Sequence, residues 1–365
     1  MKVLRYLLIF LAVALFLVGA WYLSAIVMYI IISAVLALIG RPLADRLQRL
    51  KIKGKNFPSA LAAAVTLLTI WAVMVTFFIV FIPLVIQEGQ ALSSINVNEV
   101  VENLKEPIQK VQNVYSEYTP NDEQRPLKEV ASERLKSLLS ISNITNVFSA
   151  ITGALGNIFI ALFSISFITF FFLKEKNMLT RFILLIVPTK WDSEALHAML
   201  SIKKLLSRYF IGLVVQISLI FTGVTIGLSI VGIDFNHVML IALFAALINV
   251  IPYIGPILGI IFGLTVGVAT HLHLDFYNEL MPLLGYMTIA FLIVQLMDNF
   301  LFQPLIFSNS VKAHPLEIFL VILAAGTLAG IGGMVLAIPS YTIIRVIAKE
   351  FFSKYRFVKK MTEKI

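Results

Sequence analysis

The sequence predicts an all-α, polytopic membrane protein with about six full spans, two broken or re-entrant helical hairpins and one extramembrane helical insertion. Three observations predict it. Of 365 residues, 59% are hydrophobic and 13% charged, about half the charged share of a soluble domain, which is roughly 25%. Uncharged runs of about 18 residues or more, enough to cross a bilayer, recur along the chain. Two of the apolar runs are interrupted near their centres by Pro and Gly, as "NVIPYIGP" at 249–256 and "GTLAGIGG" at 326–333.

The first apolar run, Tyr6 to Gly40, follows Lys2 and Arg5. As one helix it would exceed about 50 Å, against a hydrocarbon core of about 30 Å. It is read as two spans joined near Gly19-Ala20-Trp21-Tyr22, with the aromatic pair at the interface. Val18-Gly19-Ala20 also resembles a signal-peptide cleavage site, but the apolar run continues through Ile39, which favours an uncleaved start. The segment 41–56 carries Arg41, Arg46, Arg49, Lys51, Lys53 and Lys55 against Asp45, and reads as a cytoplasmic basic loop. Phe57 to Ile86 is the next span, with Pro83 expected to kink or end it.

Residues 88–146 change character: nine acidic and six basic side chains, with apolar positions at helical spacing on either side of "YTPNDEQRPLKE". This reads as a helical insertion on the external, periplasmic face. Val147 to Leu173 returns inward. The segment to Arg208 has seven basic and three acidic residues and is placed inside, with "FILLIVP" too short to span and "SEALHAMLSIKKLLSRYF" amphipathic. Tyr209 to Val231 goes outward. The core expected to carry transport is 209–347.

Val238 to Thr270 has no charged residue. The loops on both sides lack Lys and Arg, so a hairpin entering and leaving on one side is favoured over a single kinked span. Met281 to Met297 runs inward. Leu316 to Ile347 repeats the pattern, opening from the other side, and the tail 348–365 is basic. Both chain termini are placed in the cytoplasm. The net charge of +9 is accounted for by these inner segments, so nucleic acid is not an expected partner.

Freed backbone N–H and C=O groups cannot face lipid, so a broken segment must be buried in protein or line a wet cavity. Candidate solute-binding residues are therefore Asn249, Pro252, Tyr253, Gly255 and Pro256 in the first break, Thr327 and Gly330 in the second, and the nearby amides Gln216, Asn299 and Gln303. Asp298 is the candidate ion-coupling residue, because an intramembrane carboxylate is costly and therefore a functional candidate. Plainer readings stand beside these: Gly326-x-x-x-Gly330 as a helix-packing motif, single amides as interhelical hydrogen bonds, and Asp298 as an anchor in the headgroup layer. His271 and His273 share a loop with Asp275 and Glu279, but the spacing matches no metal motif. There is no cysteine, no phosphate-binding G-x-x-x-x-G-K-[ST] and no H-E-x-x-H. No enzyme activity, cofactor or metal is expected. Two classes remain, a secondary carrier and a membrane scaffold acting through the external insertion; the broken segments favour the carrier.

"FFFLKEKN", "YFIG", "NVIPYIGP", "DNFLFQPLIF" and "HPLEIFLVILAAGTLAGIGGMVLAIP" occur in the order and spacing of the autoinducer-2 exporter family, which the chain resembles over essentially its whole length. Leu213 follows Gly212 where that family usually has Gln, and Gln216 comes a turn later. The resemblance implies a bacterial inner-membrane transporter of elevator type. It implies a small polar solute such as autoinducer-2 as cargo, or sodium (lithium)/proton antiport, and assembly as a homo-oligomer, with a pentamer the expected size.

Overall fold

The computed structural model describes residues 19, 22–52, 55–93, 155–175, 177–271, 274–304 and 314–352. The first expected span up to residue 18, the insertion from 94 to 146 and the tail from 353 lie outside the described residues. The architecture is helical throughout, apart from a two-residue antiparallel pair. The elements are α1 (Ser24–Arg49), β1 (Lys51–Ile52), β2 (Lys55–Asn56), α2 (Ser59–Ser93), α3 (Leu155–Lys174), α4 (Met178–Ile186), α5 (Asp192–Val231), α6 (Phe235–Ile248), α7 (Ile254–Thr270), α8 (Met281–Met297) and α9 (Pro315–Phe352). Five helical stretches among the described residues are long and apolar enough to cross a membrane. The chain is a polytopic helical membrane protein.

Three boundaries differ from the sequence expectation. The basic segment from 41 is helical as far as Arg49, not a loop. Arg46 and Arg49 occupy the last turn of α1, where cations meet the negative end of the helix dipole. The connection shrinks to the β1–β2 pair, Lys51 opposite Asn56 and Ile52 opposite Lys55. Of the two outcomes expected at Pro83, it does not end the helix: it lies inside α2, which runs on to Ser93. Finally, the amphipathic segment and the fifth span fuse into α5, 40 residues or about 60 Å at 1.5 Å per residue.

The chain divides into two compact units. Described residues up to Val75, from Leu155 to Phe210 and from Ile343 onward form the first; Thr76–Ser93 and Ile211–Thr342 form the second. In the first unit, small residues let helices approach. A Cβ at Gly40 of α1 would meet Thr66 and Ile70 of α2 at 2.9 and 3.0 Å. Ser33 Oγ donates to the Ile165 carbonyl at 3.1 Å, and Trp71 Nε1 to Ser166 Oγ at 3.0 Å, tying α1 and α2 to α3. Ala37, Ala44, Ala63 and Leu173 form the buried seam.

The second unit is built on two helical hairpins. Asp234 caps α6 by accepting the Asn236 N–H at 2.9 Å. The helix ends at Ile248, and the chain turns through Asn249–Tyr253 before α7 begins. Tyr253 has φ +68°, an uncommon state for a bulky residue. The arms return on each other in antiparallel register. Gly259 faces Ala245, Gly263 faces Ile241, and the Phe244 and Phe262 rings stack at 3.9 Å. At about 21 and 26 Å, α6 and α7 are each shorter than a hydrocarbon core of about 30 Å. The segment is therefore a hairpin, not a kinked span.

The second break behaves alike. Tyr341 Oη donates to Glu317 Oε2 at 2.9 Å across 24 residues, a separation that a straight helix would stretch to about 36 Å. Helix α9 therefore folds back on itself, and the fold lies at Ala329 and Gly330, the non-helical positions within it. Gly330 has φ +59° and ψ −148°, a region open essentially to glycine alone. Nothing lies within 4 Å of a Cβ placed there, so only backbone strain opposes a side chain. Gly330→Ala is expected to cost about 1–3 kcal/mol and lower the melting temperature of the purified protein. Gly332→Ala, also in open space but without positive φ, is expected not to lower it.

Candidate functional site

The second unit's core is apolar, with Leu228, Val238, Ile241, Val266 and Met287 at its centre. One carboxylate is set into it. Asp298 is fully buried, at 0% exposure. It follows α8 directly, at the head of a π-helical turn, Asp298–Phe302. Interrupted helical turns of this kind are frequent at functional sites.

Four of the sequence candidates meet there. Gln216 of α5 donates its Nε2 to both Asp298 oxygens, at 2.8 and 3.0 Å. Gln303 Nε2 donates to Oδ2 at 2.8 Å. Asn249, the first residue of the α6–α7 break, donates Nδ2 to Oδ2 at 3.4 Å. Each contact has a local cause. Gln216 is buried on the same face as position 213, since residues three apart are neighbours on a helix. Gln303 is five residues from Asp298. In an α-helix that separation turns the side chains about 140° apart, whereas the π turn, closed by i→i+5 bonds, brings them round to one side. Asn249 is fixed by the break, its own N–H bonded to the Ala245 carbonyl at 3.1 Å.

The carboxylate thus accepts from three amides, groups that offer N–H donors and no charge. No basic side chain pairs with it among the described residues. The amides satisfy the oxygens, yet a buried charge without a counter-charge remains costly. A cavity of about 20 Å³ lies on the far side of Asn249, lined by Asn249, Pro256, Gly259, Phe291 and Gln295 among others but not by Asp298 itself. That is room for about one water-sized particle.

The remaining candidates fall elsewhere. Asn299 is exposed and accepts from Gln295 at 3.1 Å and Gln303 at 3.3 Å. Gly255 is buried under the break and Pro252 is half-buried. Tyr253 is 46% exposed, at the tip of the first hairpin. Its hydroxyl lies 3.5 Å from the Pro315 carbonyl, and its ring meets Phe319 edge-on at 5.8 Å. The tip of one hairpin thus adjoins the open end of the other. Thr327 and Gly330 sit exposed at the fold of the second hairpin and are not among the hydrogen-bond partners of Asp298. Gln295 was not among the sequence candidates, although its i,i+4 spacing to Asn299 was a readable signal. Among the described residues no group of three or more His, Asp and Glu side chains could hold a metal ion.

A protein of Bacillus subtilis (strain 168) named "Putative transport protein YueF" is 30% identical over 217 residues, 60% of this chain and 55% of that protein. A second from the same organism, "Putative transport protein YrrI", is 26% identical over 216 residues, 58% of this chain and 55% of its own length. The matched segment thus spans just over half the length of each relative. The family model described as AI-2E family transporter matches residues 9–353, and the chain belongs to that family of membrane transporters.

Proposed function

We propose that the protein is a secondary carrier whose cycle is coupled to a proton or a small monovalent cation at Asp298. One observation carries this reading: a fully buried carboxylate held by three neutral amides, with no basic partner among the described residues. Such a group needs a mobile positive charge to complete it. The cavity that shares Asn249 with this cluster has the size of an ion or one water rather than of an organic molecule. Sodium or lithium exchanged against protons is therefore the reading that the geometry favours.

Export of a small polar solute such as autoinducer-2 is the second reading, supported by the family description and by the two hairpins. Broken helices in carriers supply backbone groups to solutes near the midplane. An elevator-type cycle suits a chain whose hairpins and carboxylate belong to one compact unit. The bacterial inner membrane, cytoplasmic termini and a homo-oligomeric, pentameric assembly belong to the same proposal.

Purified protein in liposomes tests it. Imposed sodium or lithium gradients are expected to drive proton movement, read with an internal pH dye. Autoinducer-2 flux, with and without those gradients, distinguishes the second reading. Absence of any ion-driven flux would remove the coupling proposal. The orientation has its own check. Tyr277, 38% exposed in the π-helical turn between α7 and α8, lies outside in this proposal. In this cysteine-free chain, Tyr277→Cys is expected to react with an impermeant maleimide added externally; reaction from the cytoplasmic side alone would invert the assignment.

A further inference from the structure

The first unit holds a cavity of about 160 Å³ walled by α1, α3, α4 and α5. Most of its wall is apolar, from residues such as Ala34, Leu38, Phe172 and Met199, but Arg41, Lys203, Thr180 and Glu175 also line it. Arg41 is the unusual member. It is 8% exposed, and the bonds of its guanidinium are only partly filled. Nη1 donates to the carbonyls of Phe172 and Leu173, at 3.2 and 3.1 Å, closing the last turn of α3. Nε lies 3.5 Å from Asp45 Oδ1. Nη2 is buried and has no hydrogen-bond partner among the described residues. A buried, unfilled donor on a charged group costs more than a neutral one, so the position calls for an oxygen acceptor.

We propose that this cavity binds a bilayer phospholipid, its phosphate taking the Arg41 Nη2 donors and its hydrocarbon entering along the apolar wall. Guanidinium is the side chain best matched to phosphate oxygens. Lys203 supplies a second cation and Thr180 a hydroxyl. Glu175 is exposed at the rim, where solvent weakens its opposition to an anion. The volume fits a hydrocarbon segment, since an apolar cavity of about 150 Å³ holds benzene. The position fits a headgroup: the polar side lies at the end of α3, which carries Lys174, and Arg46 and Arg49 follow Arg41 along α1 in its last turn. Basic residues at helix ends meet the phosphate layer of a membrane. A free phosphate would satisfy Arg41 but leave the apolar wall unfilled.

The test uses the full chain, delipidated in detergent, and thermal melting. Short-chain phosphatidylglycerol and phosphatidylethanolamine are each expected to raise the midpoint by about 3 °C at saturation. Inorganic phosphate and a short-chain diacylglycerol are expected to leave it unchanged. Arg41→Gln is a poor probe because Arg41 also closes α3. Ala34→Leu fills the cavity and leaves Arg41 intact, and it should abolish the shift. Lys203→Gln should weaken phospholipid affinity about tenfold, the loss of one charge-assisted contact, and it serves if Ala34→Leu does not fold. An equal rise with inorganic phosphate would make this a free-anion site. An equal rise with diacylglycerol would remove the phosphate from the account. An undiminished lipid effect in either variant would place the lipid elsewhere. A midpoint that follows protein concentration and ignores lipid would replace the lipid with a second copy of the chain. Each of these four results overturns the proposal.

Discussion

Asp298→Asn is expected to fold and assemble, and to lose ion-coupled flux. Asparagine keeps the shape of the side chain, and the amides of Gln216 and Gln303 can rotate to offer an oxygen where a nitrogen now points. What disappears is the charge. Removing one member of a buried charge pair costs about 3 kcal/mol or more, and about 3 kcal/mol is roughly a hundredfold in affinity for the cation. Proteoliposomes should therefore show sodium- or lithium-driven proton movement reduced to near the empty-vesicle rate, with a flat dependence on pH. The surrounding amides should rank by geometry. Gln216→Leu removes donations of 2.8 and 3.0 Å and is expected to weaken cation affinity more than Asn249→Leu, which removes one of 3.4 Å. An Asp298→Asn protein that assembles normally and transports with unchanged ion and pH dependence would end the coupling role. The site would then have to be built from backbone and neutral side chains.

Much of this arrangement was legible in the sequence, for specific reasons. The breaks at 249–256 and 326–333 announce themselves because Pro and Gly are costly inside a helix, and an uncharged apolar run of this length is otherwise helical. The fold-back of α9 is fixed in detail by Tyr341 on Glu317, a pairing that no local pattern encodes. Asp298 could be singled out as a carboxylate at the end of a span, but its depth could not be read, since an interfacial anchor and a buried site share one local sequence. Its partners lie 82 and 49 residues away. Gln216 and Asn249 were each visible as polar residues in apolar runs, yet only tertiary packing unites them. Gln303 reaches Asp298 through a π turn, and helical periodicity at 3.6 residues assigns it to another face. The basic stretch from 41 misled for the opposite reason. A run of Arg and Lys signals the cytoplasmic side but does not distinguish a loop from a final helical turn, and here Arg46 and Arg49 complete α1.

The second large effect is expected at Gly255, and it links the fold of the first hairpin to the carboxylate. Gly255 is buried at the start of α7, where its N–H donates to the Ile251 carbonyl at 2.8 Å. A Cβ on it would run into the Ile248 carbonyl and the Asn249 Cα. Both are backbone atoms, so no rotamer change relieves the contact; the end of α6 and the start of α7 must separate. Overpacking of this kind costs about 1–3 kcal/mol when side chains can yield, and about 3 kcal/mol or more is expected where only backbone can move. The displaced residue would be Asn249, which donates to Asp298. Gly255→Ala should therefore act twice, lowering the melting temperature by several degrees and weakening cation binding in whatever protein remains folded. Gly285→Ala is the matched control, since Gly285 lies within α8 with nothing inside 4 Å of its added Cβ. There alanine should gain up to about 1 kcal/mol in helix propensity and leave binding unchanged. Melting curves and cation titrations on the pair measure both effects together. Equal behaviour of the two variants would mean that the α6–α7 break yields freely, and that Asn249 is not held in place by the closeness of its own turn.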